Sequence, residues 1–251
     1  MFKRVVVDHE SKVPKLKRVG VIGGMGQWAT YDILSRIDRE SGRRVPQYGN
    51  RGYPEKDIRM INKTPMVITP DDPEHYYPEK LEPSRELLEA AQFVGENTDF
   101  IIVTSNTAHI FRKQIEEAAG KPLISLVDVA VEEVKRRKCK RVGLTAIGVT
   151  LRQRLFQKPL EEIGVESVLL PEELRERLDN EGIYPLQEAA DAKDVSNVAF
   201  EAVDYFRKQG VDGIILGCTE IPILLGERTS EPDIINPSQL LAEEVIRRAL
   251  S

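Results

Sequence analysis

Four short apolar segments constrain the fold of this chain more than any other feature. They are RVGVIGGMG (18–26), FIIVTSNTAH (100–109), RVGLTAIGVT (141–150) and GIILGCTEI (213–221), and each leads into glycine or small polar residues. Their valine, isoleucine and leucine residues are contiguous and do not alternate with polar ones. This pattern indicates strands that are buried on both faces, as in a parallel sheet.

Segments with helical periodicity separate these strands. They span residues 30–41, 83–98, 126–138 and 195–210, and their apolar residues recur at i, i+3 and i+4. Ser84 is placed to cap the start of the second segment, and Gly210 is placed to end the fourth. The alternation of strands and helices predicts an α/β fold with right-handed crossover connections.

The order of the segments suggests an internal duplication. We therefore expect two pseudo-symmetric α/β halves with parallel sheets, and an active-site cleft where the carboxyl ends of their strands converge. The predicted organisation has an N-terminal arm (1–17), a first half (18–125 plus a C-terminal helix, 238–251) and a second half (126–237). Residues 50–80, rich in Pro, Asp and Tyr, are expected to form a long loop over the mouth of the cleft.

Composition and charge argue against several classes of protein. The net charge is −5 and the charges of both signs are mixed, which is not typical of a nucleic-acid-binding protein. No apolar run reaches the roughly 18 residues of a membrane span, and the first residues lack the apolar core of a signal peptide. Two distant cysteines and three histidines predict a cytoplasmic protein with neither a disulfide framework nor a metal site.

The glycine turn raises the alternative of a dinucleotide-binding dehydrogenase. The sequence GMGQWA (24–29) fits the Gly-x-Gly-x-x-Gly/Ala pattern and follows a predicted strand. That motif also needs a second strand about 20 residues later, which ends in an acid that binds the ribose. Residues 40–56 do not have the character of a buried strand, so a turn that presents its amides to a smaller anion is favoured.

Three motifs resemble those of the aspartate/glutamate racemase family. They are GGMG followed by Ala29 and Thr30, SNTAH (105–109) and GCTEIP (217–222), and the resemblance covers most of residues 18–249. It implies two flavodoxin-like halves and proton transfer at the α-carbon of a small, possibly acidic, amino acid or related carboxylate. It also implies that no cofactor is used and that the protein forms a homodimer.

The two catalytic positions implied by the resemblance carry different side chains here. Inverting a stereocentre needs a base on one face of the carbon and an acid on the other, and two thiols suit both roles. The family places cysteines at positions 105 and 218, and this chain has Ser105 and Cys218. A hydroxyl is a much weaker acid than a thiol, so it needs a strong partner to act as a base.

Three explanations of Ser105 stay open. The serine could be a replacement for cysteine introduced to hold a ligand without turnover. The chain could instead be a natural one-thiol relative that works on one face or acts as a lyase, as the related arylmalonate decarboxylases do. It could also be a carboxylate-binding protein whose catalytic site has decayed.

The resemblance implies further roles around the catalytic pair. Lys56 stands near the place of an arginine that binds the distal carboxylate, with Arg59 as a nearby substitute. His109 could approach the Ser105 hydroxyl or cap the next element, and Glu220 could tune Cys218 or point outward. The remaining substrate-binding positions implied are Met25, Gln27, Asn106, Thr107, Thr150 and Thr219.

Structural roles compete with these assignments. Asn106, Thr107 and Thr219 could simply cap helices, and Cys218 could fill the core. Cys139 precedes a strand and is expected to be inert. Gln187 lies near the place where the family has a lysine, and such departures argue against aspartate or glutamate as the substrate.

Overall fold

Two four-stranded parallel sheets with the same strand order form the framework of the molecule. A computed structural model describes residues 14–46, 52–67 and 81–251. The strands are β1 (Val19–Gly23), β2 (Lys56–Met60), β3 (Phe100–Val103), β4 (Leu123–Ile124), β5 (Arg141–Thr145), β6 (Glu166–Leu169), β7 (Gly213–Leu216) and β8 (Ile234–Ile235). The first sheet has the order β2-β1-β3-β4 and the second β6-β5-β7-β8, so each strand has a counterpart four strands later. The predicted α/β fold with two flavodoxin-like halves is confirmed.

Helices connect the strands of both sheets. They are α1 (Gln27–Arg44), α2 (Arg85–Gly95), α3 (Arg112–Ala119), α4 (Leu126–Arg137), α5 (Gly148–Arg152), α6 (Gln157–Glu162), α7 (Glu172–Arg177), α8 (Tyr184–Gln187), α9 (Ala192–Val195), α10 (Asn197–Lys208), α11 (Ile221–Leu225) and α12 (Pro237–Ala249). Two 3₁₀ segments (Thr107–Phe111 and Gly226–Ser230) and a π-helical segment (Leu178–Ile183) complete the described elements. Among the described residues, no helix is both long enough and apolar enough to cross a bilayer.

The central strands are apolar because both of their faces are covered. Val19, Val21 and Ile22 of β1 are fully buried, as are Ile101 and Ile102 of β3. Fully burying such a side chain contributes about 1.5–3 kcal/mol to folding, so contiguous apolar residues are favoured there. The four apolar segments of the sequence correspond to these central strands and to β5 and β7.

The helix ends follow the expected capping chemistry. Ser84 accepts a hydrogen bond from the backbone N–H of Leu87 at 3.3 Å and starts α2. Gly210 adopts a φ of +67° just beyond α10, a left-handed conformation that costs glycine little. Both positions act as the sequence predicts.

The expected loop over residues 50–80 is wrong in part, because β2 lies inside it. Within the described part of the chain this edge strand pairs only with β1, and its residues are half-buried or exposed. An edge strand covered on one side can carry charged residues, which explains why its sequence lacks a strand signal. Its last residue is Met60 and the next is Ile61, so no acid follows it of the kind that binds a ribose. Residues 68–80 and most of the predicted arm, 1–13, lie outside the described part of the chain.

The last helix packs against the first sheet. Leu241, Val245 and Ile246 of α12 are fully buried in a cluster with Val19 and Ile33. The backbone N–H of Lys17 also donates to the carbonyl of Ala249 at 2.9 Å. The chain therefore leaves the second sheet and returns to cover the first.

Candidate active site

Ser105 and Cys218 occupy equivalent positions in the two halves. Each lies two residues beyond the end of a central strand, Ser105 after β3 and Cys218 after β7. Both side chains are buried, each with 6% of its residue surface exposed. The internal duplication thus puts a hydroxyl and a thiol at the carboxyl edges of two matching sheets.

The two edges are in contact with each other. The Oγ1 atoms of Thr107, after β3, and Thr150, in α5, are 3.1 Å apart and share a hydrogen bond. Val149 of α5 is buried in the core of the first half, and Ile147 packs against the cores of both halves. The residues that follow β3 and β5 therefore form one continuous region.

The Cys218 thiol is hydrogen-bonded to a carboxylate. Its Sγ donates to Oε2 of Glu220 at 3.0 Å, and Oγ1 of Thr219 donates to the same oxygen at 3.2 Å. Burial raises the pKa of the Cys218 thiol well above its usual range, and the negative charge of Glu220 raises it further. The thiol is therefore protonated in this state and can serve as an acid.

Glu220 is also hydrogen-bonded to Gln187, the last residue of α8, which directly follows the π-helical segment. Nε2 of Gln187 donates to Oε1 of Glu220 at 2.9 Å. The same oxygen lies against the glycine turn, since a Cβ at Gly26 would be 2.8 Å from it, and a larger residue there would displace the Glu220 carboxylate. Glu220 thus points inward and contacts both halves.

Asn106 carries unused hydrogen-bonding capacity. It is only 4% exposed, and neither Oδ1 nor Nδ2 has a hydrogen-bond partner among the described residues. Leaving a buried amide unpaired costs about 1–3 kcal/mol for each group, which makes a bound ligand the natural partner. An amide can donate to a carboxylate and accept from an ammonium group.

His109 does not act on the Ser105 hydroxyl. Its Nδ1 lies 2.8 Å from the carbonyl oxygen of Ser105, and its Nε2 accepts from the backbone N–H of Leu126 at 3.2 Å. Burial lowers the pKa of His109 to about 4, so the ring is neutral near pH 7. Of the two predicted roles, the structural one agrees with these contacts, since the ring ties β3 to the start of α4.

Two expected substrate-binding residues, Lys56 and Gln27, are bonded to other side chains in this structure. Lys56 begins β2 beside Val19, at the amino edge of the sheet, where its Nζ pairs with Oδ1 of Asp38 at 2.6 Å. In a parallel sheet this edge is opposite to the one that carries Ser105. Gln27 is exposed, and its Nε2 donates to the hydroxyl of Tyr31 at 2.7 Å along α1. These contacts do not favour a substrate role for either residue, and the expectation that Lys56 and Gln27 contact the substrate stays a prediction.

The remaining expected residues are less sharply placed. Met25 is half-buried against the core of the first half. The Arg59 guanidinium lies over the ring of Phe93, 5.7 Å from its centroid. A groove of about 1440 Å³ between α1 and the second half is lined by neither Ser105 nor Cys218. The strand ends, and not this groove, carry the reactive side chains.

Sequence reasoning missed Asp179 and the contact made by Gln187. Asp179 is in the π-helical segment, and its charge acts on the Cys218 thiol. Its sequence context, ERLDNEGI, is typical of a solvated helix face and contains no signal of a site. Gln187 was marked only by its position near a lysine that the resemblance predicts.

Comparison with known proteins places the chain in a family. The family model for Asp/Glu/Hydantoin racemases matches residues 22–245. The chain belongs to the Asp/Glu/Hydantoin racemase family. Among curated relatives, the broad specificity amino-acid racemase RacX of Bacillus subtilis is 22% identical over 93% of this chain and 98% of its own length.

Solved structures of racemases share the fold. Picrophilus torridus aspartate racemase superposes with a TM-score of 0.75 at 21% identity, over 93% of this chain and 94% of its own. A variant of arylmalonate decarboxylase superposes with a TM-score of 0.52 at 13% identity, over 92% and 93% of the two chains. At these identities the likeness concerns the fold of this racemase-family chain and not its substrate.

Proposed function

We propose that the chain is a cofactor-independent amino-acid racemase in which Cys218 exchanges the α-proton and Ser105 faces the opposite side of the substrate. The observation that carries this proposal is the equivalent placement of Ser105 and Cys218 after the central strands of two duplicated sheets. Family membership and the racemases among its relatives support the reaction class. The expected homodimer and the cytoplasmic location stay predictions.

Glu220 supplies the base that a buried thiol needs. Its Oε2 is already hydrogen-bonded to Sγ, so the thiol proton can pass to the carboxylate when a substrate enters. The resulting thiolate removes the α-proton and leaves an enediolate-like anion. In the reverse direction the protonated thiol returns the proton to the same face.

Asn106 is proposed to bind the charged groups of the substrate. Its unpartnered Nδ2 can donate to the substrate carboxylate, whose negative charge grows as the α-proton leaves, and Oδ1 can accept from the α-ammonium group. Thr107, Thr150 and Thr219 are proposed as further contacts of the substrate carboxylate. The amide thus stabilises the transition state more than the ground state.

Ser105 makes the rates of proton transfer at the two faces of the α-carbon unequal. Its hydroxyl can deliver a proton to the anion, but it is too weakly acidic to be left as an alkoxide near neutral pH. We therefore expect rapid exchange of one enantiomer with slow inversion. The alternative is a one-cysteine lyase, which the shared fold of arylmalonate decarboxylase favours and which would release carbon dioxide from a malonate-type substrate.

Deuterium exchange at the α-carbon tests the proposal. A panel of L- and D-amino acids is incubated with the chain in deuterated water and followed by proton NMR. We expect wash-in for one enantiomer of at least one amino acid, and rapid inversion when Ser105→Cys restores the second thiol. Cys218→Ala should lower exchange by at least about 100-fold, since the proton-transfer group is lost.

Cys139 provides the matched control. It is the other cysteine, it is buried, and it lies near Gly213, at the start of β7 and away from the carboxyl edge. Cys139→Ser should leave the exchange rate unchanged. The racemase proposal is refuted if neither the chain nor its Ser105→Cys variant incorporates deuterium into any member of the panel.

A further inference from the structure

Gln187 connects the surface of the second half to a buried carboxylate. It is an exposed residue at the end of α8, whereas Glu220 is only 3% exposed. Nε2 of Gln187 donates to Oε1 of Glu220 at 2.9 Å, and the other carboxylate oxygen, Oε2, accepts from Sγ of Cys218 at 3.0 Å. A continuous chain of hydrogen bonds therefore runs from Gln187 through Glu220 to the thiol.

The two oxygens of the Glu220 carboxylate have different surroundings. Oε1 lies between Gln187 and the glycine turn of the first half, since a Cβ at Gly26 would be 2.8 Å from Oε1 and 3.5 Å from Cγ of Gln187. Oε2 faces Cys218 and also accepts from Oγ1 of Thr219 at 3.2 Å. The carboxylate is thus fixed at one oxygen and directed at the thiol with the other.

The Glu220 carboxylate is not used to cap the helix that follows it. Glu220 is the N-cap residue of α11, but its side chain makes no capping hydrogen bond within the described part of the chain. Pro222 occupies the second position of this helix and has no N–H, which removes one of the two donors that a capping side chain can use. A buried carboxylate in this place needs another donor, and Gln187 supplies it.

The backbone of α8 is anchored beside the thiol. Leu186, the residue before Gln187, is 3% exposed and belongs to the same hydrophobic cluster as Cys218. Two residues after Gln187, Ala189 has a φ of +71°, a left-handed conformation that residues with a Cβ rarely adopt and that persists where the surrounding structure imposes it. The Gln187 amide is therefore presented to Glu220 from a packed support.

We infer that Gln187 is a positioning residue for the proton transfer between Cys218 and Glu220. By binding Oε1 it keeps Oε2 against Sγ, so that the thiol proton moves to Oε2 as the S–H bond breaks and returns by the same path. The inference rests on the proposed function for the reaction that this proton transfer serves. It assigns to Gln187 a role that acts through Glu220.

Alkylation of Cys218 tests the inference without a substrate. Gln187→Met keeps the length of the side chain and removes its donor, so the carboxylate, released at Oε1, should move away from the thiol. Burial and the negative charge of Glu220 raise the pKa of the thiol, which should therefore fall in the variant. We expect iodoacetamide at about pH 8 to modify Cys218 at least about threefold faster in Gln187→Met, as measured by peptide mass spectrometry.

The same substitution in a Glu220→Gln background separates positioning from access. A more open site would speed alkylation in both backgrounds, whereas a loss of positioning has no further effect once the charge at residue 220 is gone. We expect Gln187→Met to change the alkylation rate of Glu220→Gln less than about twofold. No increase in the single variant, or equal increases in both backgrounds, would overturn the inference.

Gln209→Met is the matched control. Gln209 is an exposed glutamine just beyond α10, and it precedes β7, so it lies toward the amino edge of the second sheet. The alkylation rate of Cys218 and the rate of deuterium exchange should both stay within about twofold of those of the unmodified chain.

Deuterium exchange separates the inference from the proposed function. For an amino acid that the chain exchanges, Gln187→Met should lower kcat at least about tenfold and change KM less than about twofold, because the residue acts on proton transfer and not on substrate binding. The expected alkylation rates in a chain that exchanges no amino acid would keep the positioning role and refute the racemase proposal. Exchange that depends on Cys218 and is unchanged in Gln187→Met would keep the racemase proposal and overturn the inference.

Discussion

At the scale of single residues, the contact between Cys218 and Glu220 determines what the thiol can do. The carboxylate has two opposing effects: it accepts the thiol proton, and its charge disfavours the thiolate. The first effect helps proton transfer and the second raises the pKa of the thiol. Replacing Glu220 by glutamine separates them.

Glu220→Gln should lower the pKa of the Cys218 thiol and still slow the exchange reaction. The pKa falls because a neutral amide no longer disfavours the thiolate. The exchange rate should fall about 100-fold, because no base is left to accept the thiol proton. The pH dependence of Cys218 alkylation, read by mass spectrometry, and deuterium wash-in measure the two effects.

Glu227→Gln is a suitable control for this experiment. Glu227 is an exposed acid in the 3₁₀ segment after α11. Neither the alkylation profile nor the exchange rate should change in this variant. An alkylation profile of Glu220→Gln shifted to higher pH would contradict the role given to the carboxylate.

At the scale of secondary-structure elements, His109 joins the end of β3 to the start of α4. Its two ring nitrogens bond to the Ser105 carbonyl and the Leu126 amide, and both bonds require a neutral ring with one proton. Burial holds its pKa at about 4, below the usual 6.5 of an unfolded histidine. The native state therefore resists protonation at this residue.

Because of this residue, the free energy of unfolding should decrease as the pH is lowered. Below about pH 6.5, His109 of the unfolded chain binds a proton, whereas His109 of the native chain stays neutral. The free energy of unfolding therefore decreases as the pH is lowered to about 4. From pH 7 to pH 4.5 the unmodified chain should lose about 2 kcal/mol more than His109→Gln, as measured by urea unfolding. Equal losses in the two proteins would show that the ring is protonated in the native state.

At the scale of the whole molecule, the two halves are held together across the site. Thr107 and Thr150 share a hydrogen bond, Val149 enters the core of the first half, and α12 packs against the first sheet. These contacts bring the residues after β3 next to those after β5. The site is thus formed by association of the halves.

A double-mutant cycle measures the coupling across the halves. Thr107→Val and Thr150→Val should show a coupling free energy of about 1 kcal/mol in global unfolding, the usual value for one buried hydrogen bond. Thr98 is the control, because its hydroxyl bonds within the first half to the carbonyl of Val94. The changes in unfolding free energy caused by Thr98→Val and Thr150→Val should add in the double variant. If those of Thr107→Val and Thr150→Val also add, the hydrogen bond between the halves does not contribute to stability.

The sequence by itself determined the class of fold, the duplication and the positions of Ser105 and Cys218. These follow from local patterns, since contiguous apolar residues mark strands covered on both faces and small polar residues mark where such strands end. Edge strand β2 was not predicted, because an edge strand covered on one side tolerates charged residues and so lacks a contiguous apolar pattern.

Only the tertiary structure decided which side chains meet. Lys56 lies at the amino edge of its sheet, whereas Gln187 and Glu220 come from separate elements and meet beside Cys218. The periodicity of a segment tells which of its faces is buried, but not which distant residue lies opposite that face. That depends on how the two sheets associate, because the contacting residues are tens of positions apart along the chain.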